Sequence, residues 1–321
     1  MAVIKAQPEK FVDQYLFPLV ERKLITPLLV TRVADANFIG AQNDQVNFKI
    51  GGLRTVARRQ EFRTRSRPII MDDIQGGESI PVFLNTHTYS STGLTLEHLT
   101  LDNIQFTKEV IAPQTRAVAD QLEADVAYAF GQMVFKHSLN FIEGTTDPYD
   151  LALEAMDLLD QHDVPDDGNR FWLVGSTVWK ALMKSDRVSK HELAGPDRLV
   201  AAVARAEVGE IASWRIVKSR AIAPTASWFL HKSLLVLGNV APVVPTGAIT
   251  GRRYTDNGWD MTWIQDYSGD WQRDRSTIQT FTGLTPIYDE RKGGNGPDRH
   301  DLKADANHSV RGVKVNFTPA A

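Results

Sequence analysis

The sequence contains no cysteine. Disulfides and cysteine-ligated metal sites are therefore excluded, and the composition fits a protein made in a reducing cytoplasm. Long apolar runs are also missing. The longest uncharged stretch, between Lys232 and Arg252, holds Pro242, Pro245, Asn239 and several glycines, which argues against a bilayer-spanning helix. The opening residues 1–12 lack the apolar core of a secretion signal, so no membrane segment is expected. The formal net charge of -3 argues against strong nucleic-acid binding by the whole molecule.

Signatures of chemistry are absent too. The glycines at 293–296 are not a strand-to-helix turn followed by lysine, so no phosphate loop is present. No Gly-x-Ser-x-Gly elbow occurs. The eight histidines, at 87, 98, 137, 162, 191, 231, 300 and 308, include no i, i+4 pair with a carboxylate between. His162-Asp163 and Asp166-Asp167 read as solvated turn residues rather than an acid/base pair. Trp259 and Trp263 read as core on a strand rather than a stacking platform. No catalytic residue, cofactor or metal ligand is expected, and no internal repeat is visible.

What is present is a chain of 321 residues, 42% apolar and 23% charged, ample for a folded protein with a sizeable core. Its central stretch runs from Asp102 to His137. Apolar residues recur there at Ile104, Ile111, Val118, Leu122, Val126, Ala129 and Met133, which predicts a long helix. Asp102 is placed to cap it, Gly131 to loosen its last turn, and Pro113 to kink it or delay its start. Such a helix serves equally as a strut between distant parts of a subunit or as a long core helix of an enzyme.

Around it, helical spacing marks residues 8–23, and Val46–Ile50 reads as a strand. Asp147 and Pro148 start a helix with Leu151, Ala155, Leu158 and Leu159 on its buried face. Strand Arg170–Val174 and a short helix capped by Ser176 follow, then a polar segment at 184–197 and an apolar run at 199–204. A turn at 207–211 leads into strand Trp214–Val217, and two short strands flank His231-Lys232. A strand from Trp259 returns through Arg275–Phe281. Gly293–Pro297 is a linker, and Val310–Phe317 is a last strand, expected to add to a sheet edge, of its own subunit or of a neighbouring copy. Helices and antiparallel strands mix without regular alternation, so the fold class is α+β.

Residues 51–101 stand apart. Between 51 and 67 the charged residues are Arg54, Arg58, Arg59, Arg63, Arg65, Arg67 and a single acid, Glu61. From 68 to 103 the charges are Asp72, Asp73, Glu78, Glu97 and Asp102, with no lysine or arginine. This is a hairpin-like arm with a basic and an acidic limb, too poor in apolar residues to fold alone. Its alternatives are a solvated flap or a nucleic-acid patch, the latter weakened by the acidic limb.

Three phrases then carry a resemblance: LTLDNIQFTKEVIAPQTRAVADQLEADVA at 99–127, VGEIASWRIVKS at 208–219 and WIQDYSGDWQRDRSTIQTFTGLTPIYD at 263–289. In this order, with the arm and long helix, the chain resembles the major capsid proteins of tailed bacteriophages, the HK-ninety-seven-like fold. The likeness is to coat proteins from phages of actinobacteria in particular. The resemblance implies an N-arm at 1–50, an extended E-loop at 51–101, and a peripheral domain at 102–146 with Asp102–His137 as spine helix. It further implies a mainly axial domain at 147–265, return strands at 266–289 and a C-terminal tail at 290–321.

The function implied is structural and non-enzymatic: self-assembly as pentamers and hexamers into an icosahedral shell around double-stranded DNA. The location implied is the virion, after synthesis in the host bacterial cytoplasm. Implied partners are other copies of the chain, packaged DNA contacted non-specifically, and scaffold, portal and decoration proteins, with no membrane. The scaffold would be either a removed leader or a separate protein. Arg54, Arg58, Arg59, Arg63, Arg65, Arg67, Asp72, Asp73 and Glu78 are the expected intersubunit contacts. Some relatives cross-link an E-loop lysine to an asparagine. Here no lysine occurs from Gly51 to Thr107, so a non-covalent shell is expected. An encapsulin-type cargo shell is the alternative within this fold. A soluble enzyme with a lid at 51–101 is the alternative outside it.

Overall fold

The computed structural model describes residues 25–33, 45–50, 78–95, 107–162, 164–185, 210–256, 259–288 and 308–320. The expected helix at 8–23, the apolar run at 199–204 and the linker at 293–297 lie outside the described residues.

Helix α1, Ala112–Gln132, follows one π-helical turn at Thr107–Ile111. Pro113 sits in its first turn, where a missing backbone donor has no helical partner to lose. This is the delayed start that Pro113 predicted. Twenty-one residues give roughly 32 Å of helix. One side, including Val118, Ala119, Leu122, Val126 and Phe130, is almost fully buried.

The helix does not reach His137. Met133 turns to extended backbone at φ -68 and ψ 138, and strand Phe135–Ile142 takes over. The local sequence there alternates, with Leu139 and Phe141 buried and Ser138 and Asn140 exposed. Its ladder partner lies at the far end of the chain, which a local helical pattern cannot reveal.

In chain order the strands are β1 (Thr31–Val33), β2 (Gln45–Ile50), β3 (Glu78–Phe83), β4 (Thr86–Thr95), β5 (Phe135–Ile142), β6 (Arg170–Val174), β7 (Glu210–Ile211) and β8 (Trp214–Lys218). Then come β9 (Ala226–His231), β10 (Leu235–Val240), β11 (Thr250–Asp256), β12 (Trp259–Ser268), β13 (Arg273–Pro286) and β14 (Ser309–Thr318). The first sheet runs β1-β10-β13-β12-β11, with β4 on the other side of β13. The second runs β5-β14-β9-β6-β8-β7, and β2 with β3 forms a separate two-stranded ladder.

The buried side of α1 joins both sheets. It shares one cluster with Trp259, Met261, Trp263 and Ile278 of the first and with Phe171, Leu173, Trp228 and Leu230 of the second. Asp260 and Thr262, on the opposite face of β12, are buried as well, and the Thr262 hydroxyl donates to the Pro242 carbonyl. Trp259 and Trp263 are thus core, as their spacing predicted. Helix α2 (Pro148–Gln161) and helix α3 (Ser176–Lys184) lie together on one face of the second sheet. The Asp147 side chain accepts from the Tyr149 amide, confirming that cap. Ser176 is the first residue of α3 rather than its cap, which is Gly175.

Three boundaries differ from those expected. β4, inside 51–101, pairs along β13 in the first sheet and is not part of a free arm. β10, β11 and most of β12 fall within 147–265, yet they belong to the sheet against α1; the change of sheet comes at the 3₁₀ turn Lys232–Leu234. β14 is the largest departure. It is an interior strand of its own subunit, parallel to β5 on one side and antiparallel to β9 on the other, rather than an edge strand. Val313 and Val315 put it in the core, which its alternating sequence allows at any position in a sheet.

Candidate assembly surfaces

β2 and β3 pair antiparallel from Gln45 with Phe83 to Ile50 with Glu78. Residues 51–77 are therefore the connection that closes this hairpin. The ladder is held to the body at its base, where Val46, Ile80 and Leu84 meet a cluster of Val33, Val82, Val236 and Ile287. The approach is close: a Cβ on Gly283 would lie 1.8 Å from the Phe83 carbonyl oxygen, so only glycine fits there. Of the candidate contact residues, Glu78 opens β3 opposite Ile50. Arg54, Arg58, Arg59, Arg63, Arg65, Arg67, Asp72 and Asp73 lie outside the described residues.

Where the described N-terminal segment begins, a carboxylate fixes it. Glu123, on α1, is buried, and its side chain accepts from the backbone amides of Ile25 at 2.8 Å and Thr26 at 2.9 Å. The Ser219 hydroxyl donates to the same carboxylate at 3.1 Å. The Thr26 hydroxyl returns a bond to the Glu123 carbonyl. One residue thus joins the N-terminal segment, the long helix and the end of β8. Gln114 does the same for α1 and the first sheet, donating to the Ser276 carbonyl at 2.7 Å and accepting from the Ser276 hydroxyl.

A polar network closes one end of the second sheet. Arg170 is buried and donates to Asp160 at 2.6 Å and to the Val164 and Pro165 carbonyls. Next to it on β9, His231 accepts at Nδ1 from the Ser233 amide, which leaves Nε2–H to donate to Asp167 at 3.1 Å. Arg311 of β14 donates to the Ser233 hydroxyl at 2.7 Å. The Asn169 side-chain hydrogen bond is the largest influence holding the Asp167 carboxyl down to about 2; burial opposes it, and the His231 bond and the Asn169 amide add to the lowering. Burial pushes the His231 imidazolium below its usual value, and Asp167 opposes that shift. His162, expected in a solvated turn, is buried instead and hydrogen-bonds His137 across 2.7 Å between Nε2 atoms. Burial, and then Lys136, lowers the pKa of His137. These links join β5, β6, β9, β14 and the end of α2. They build a brace that local spacing displays only in part: the Arg170 partners lie within 10 residues of it, whereas His137 and His162, Asp167 and His231, and Ser233 and Arg311 are 25, 64 and 78 residues apart.

Among the described residues no group of three or more His, Asp or Glu is placed to hold a metal ion. No helix among them is long and apolar enough to cross a membrane. Exposed aromatic side chains gather near the β12–β13 turn, with Tyr267 and Trp271 largely open to solvent and Arg273 stacked on the Trp271 ring.

A long helix thus shares its buried side with two sheets, and the β2–β3 hairpin packs at its base against β1 and β10. No protein-family model matches the sequence, and no curated protein does. Solved structures do match in shape. A structure from Mycobacterium phage Che8 is 14% identical with a TM-score of 0.55, over 91% of this chain and 90% of that one. The mature capsid of bacteriophage PhiM1 is 12% identical with a TM-score of 0.55, over 92% and 87%. The capsid of Ralstonia phage GP4 is 9% identical with a TM-score of 0.56, over 81% and 83%. The chain has the α+β fold of tailed-phage capsid proteins, the HK-ninety-seven-like fold.

Proposed function

We propose that this chain is the major capsid protein of a tailed phage, which assembles from many copies into an icosahedral shell around double-stranded DNA. The observation that carries this is the shared fold, which extends over nine-tenths of the chain to phage capsid structures. Its role is structural: repeated quasi-equivalent contacts, extended by arms, replace a substrate site. The arm fits that role because its basic limb and the acidic stretch after it connect β2 to β3, two strands that pair with each other as one hairpin. Stretched on a neighbour, Arg54, Arg58, Arg59, Arg63, Arg65 and Arg67 would meet acidic partners, and Asp72, Asp73 and Glu78 basic ones. Scaffold, portal and decoration proteins are the further partners of such a shell, and the DNA inside is touched without sequence preference.

Sedimentation of the protein expressed in a bacterial cytoplasm tests this reading. Fast-sedimenting closed particles are expected, and in virions those particles hold nuclease-protected DNA. A homogeneous 35.8 kDa monomer with a measurable enzymatic activity would overturn it. Particles loaded with a protein cargo in place of DNA would convert it to a nanocompartment shell.

A further inference from the structure

His137 and His162 are 25 residues apart, and no spacing in the sequence pairs them. The fold does. His137 lies on the same side of β5 as Leu139 and Phe141, which pack with Leu151, Ala155 and Leu159 of α2. His162 is the C-cap of that helix, and its amide donates to the Leu159 carbonyl. Strand and helix end thus carry the two rings to one point, with centroids 5.0 Å apart and planes inclined by 40°. The Nε2 atoms face each other at 2.7 Å. Such a bond needs a lone pair on one nitrogen and a proton on the other. His137 is half-buried, so the pair lies near the surface rather than deep in the core.

The surroundings favour a cation there. The carbonyl end of α2 is the negative pole of the helix. From Pro148 to Asn169 the chain has no lysine or arginine, and Asp157 and Asp160 lie in the last two turns of α2. Lys136 opposes them. Burial, then Lys136, lowers the pKa of His137, which keeps that ring neutral near pH 7 and able to offer a lone pair.

We propose that His137 and His162 form a two-histidine site for a divalent transition-metal ion of the zinc kind, which replaces the proton between the Nε2 atoms and ties β5 to the end of α2. Zinc binds imidazole nitrogen at about 2.0–2.1 Å, which at a tetrahedral angle sets the two nitrogens about 3.3 Å apart. The rings therefore need to part by about 0.6 Å from their present spacing. Both then ligate through Nε2 and carry their proton on Nδ1. The donor ring exchanges its Nε2 proton for one on Nδ1, and two neutral rings release no net proton. Water fills the remaining positions, since among the described residues no third His, Asp or Glu joins the pair. Nitrogen ligands select zinc, nickel and copper over magnesium and calcium, which take oxygen. The site concerns the stability of the subunit and does not depend on the shell reading.

Metal titration tests it. Zn²⁺ alone, added to metal-free protein, should raise the thermal midpoint by at least about 2 °C, because an ion held only by the folded chain stabilises it. A chelator should reverse the shift, and Mg²⁺ or Ca²⁺ at the same concentration should produce none. His137→Gln and His162→Gln should each abolish it, whereas His87→Gln, on the first sheet, should keep it. No zinc shift in the wild type, or a shift that survives in either His137→Gln or His162→Gln, would overturn the proposal and leave the pair as a hydrogen-bonded brace alone.

X-ray absorption at the zinc edge needs no variant to fold. Wild-type protein given sub-stoichiometric zinc and dialysed should retain the metal with two imidazole ligands and oxygen in the other positions. Zinc lost on dialysis, or any other number of imidazoles, would overturn the site.

Discussion

Glu123 sits in mid-helix, and nothing near it in sequence marks it out. Its partners are about a hundred residues away, at Ile25, Thr26 and Ser219. His162 and Arg170 are likewise polar in the sequence and buried in the fold: His162 meets His137 of β5, and Arg170 is held by Asp160 and by the Val164 and Pro165 carbonyls just before its own strand. Trp259 and Trp263 were legible, since a two-residue alternation of large apolar side chains reports burial directly. Glu123→Ala leaves two amides and a hydroxyl unsatisfied and is expected to cost about 2–3 kcal/mol in denaturant unfolding. Faster hydrogen exchange at the Ile25 and Thr26 amides should accompany the loss. An unchanged midpoint with unchanged exchange would show that the anchor does not hold the segment.

The histidines make stability depend on pH. Burial lowers the folded-state pKa of both His137 and His231, so the unfolded chain takes up protons first as pH falls. Their contribution is complete above the usual imidazole value, about 6.5, and is lost as pH drops through and below it. Asp167, depressed to about 2, adds a second loss as pH falls from roughly 4 toward 2. Unfolding at pH 5.5 should therefore need less denaturant than at pH 7.5, and His137→Gln with His231→Gln should narrow that gap. Equal stability of the wild type at both pH values would contradict the burial of these rings.

At the scale of elements, those fixed by local signals were legible. Strand Arg170–Val174 has the bounds its sequence predicted, and Asp147 caps α2 as expected. Elements defined by distant partners were not. β5 was hidden in a helical pattern, and β14 was recognised as a strand without its place being visible. Its neighbours, β5 and β9, come from the middle of the chain. An interior strand cannot be removed without exposing two ladders and the apolar faces they cover. Deletion of residues 308–321 is therefore expected to abolish soluble folded subunit, and Val315→Pro, which removes a buried strand position's donor, to do nearly the same. A truncated chain that still unfolds cooperatively at the wild-type midpoint would refute this placement. The arm makes the opposite prediction. Arg63→Glu with Arg65→Glu should leave the subunit folded and impair assembly, because residues 51–77 are too poor in apolar side chains to add much to a core. Assembly at the wild-type level in low salt would reduce these charges to a solvated surface.

At the scale of the whole molecule, architecture was more legible than its internal borders. Arm, long helix, mixed sheets and closing strands follow one another along the chain, and their order carried the resemblance. The borders were displaced because the polypeptide crosses between its two sheets repeatedly: β4 leaves the arm for the first sheet, β5 starts the second, β10 returns to the first and β14 ends in the second. Such crossings are set by burial of α1 between the sheets, which no local spacing reports. With identities of 9–14% to the phage structures it resembles, the fold persists while the sequence does not. The central claim is that this subunit exists to tile a closed shell. Electron cryomicroscopy of the purified particles tests it most directly. The account predicts an icosahedral reconstruction whose repeating unit is this chain, with α1 and both sheets visible in every copy. Dispersed single subunits under every assembly condition, with no closed shells, would contradict it.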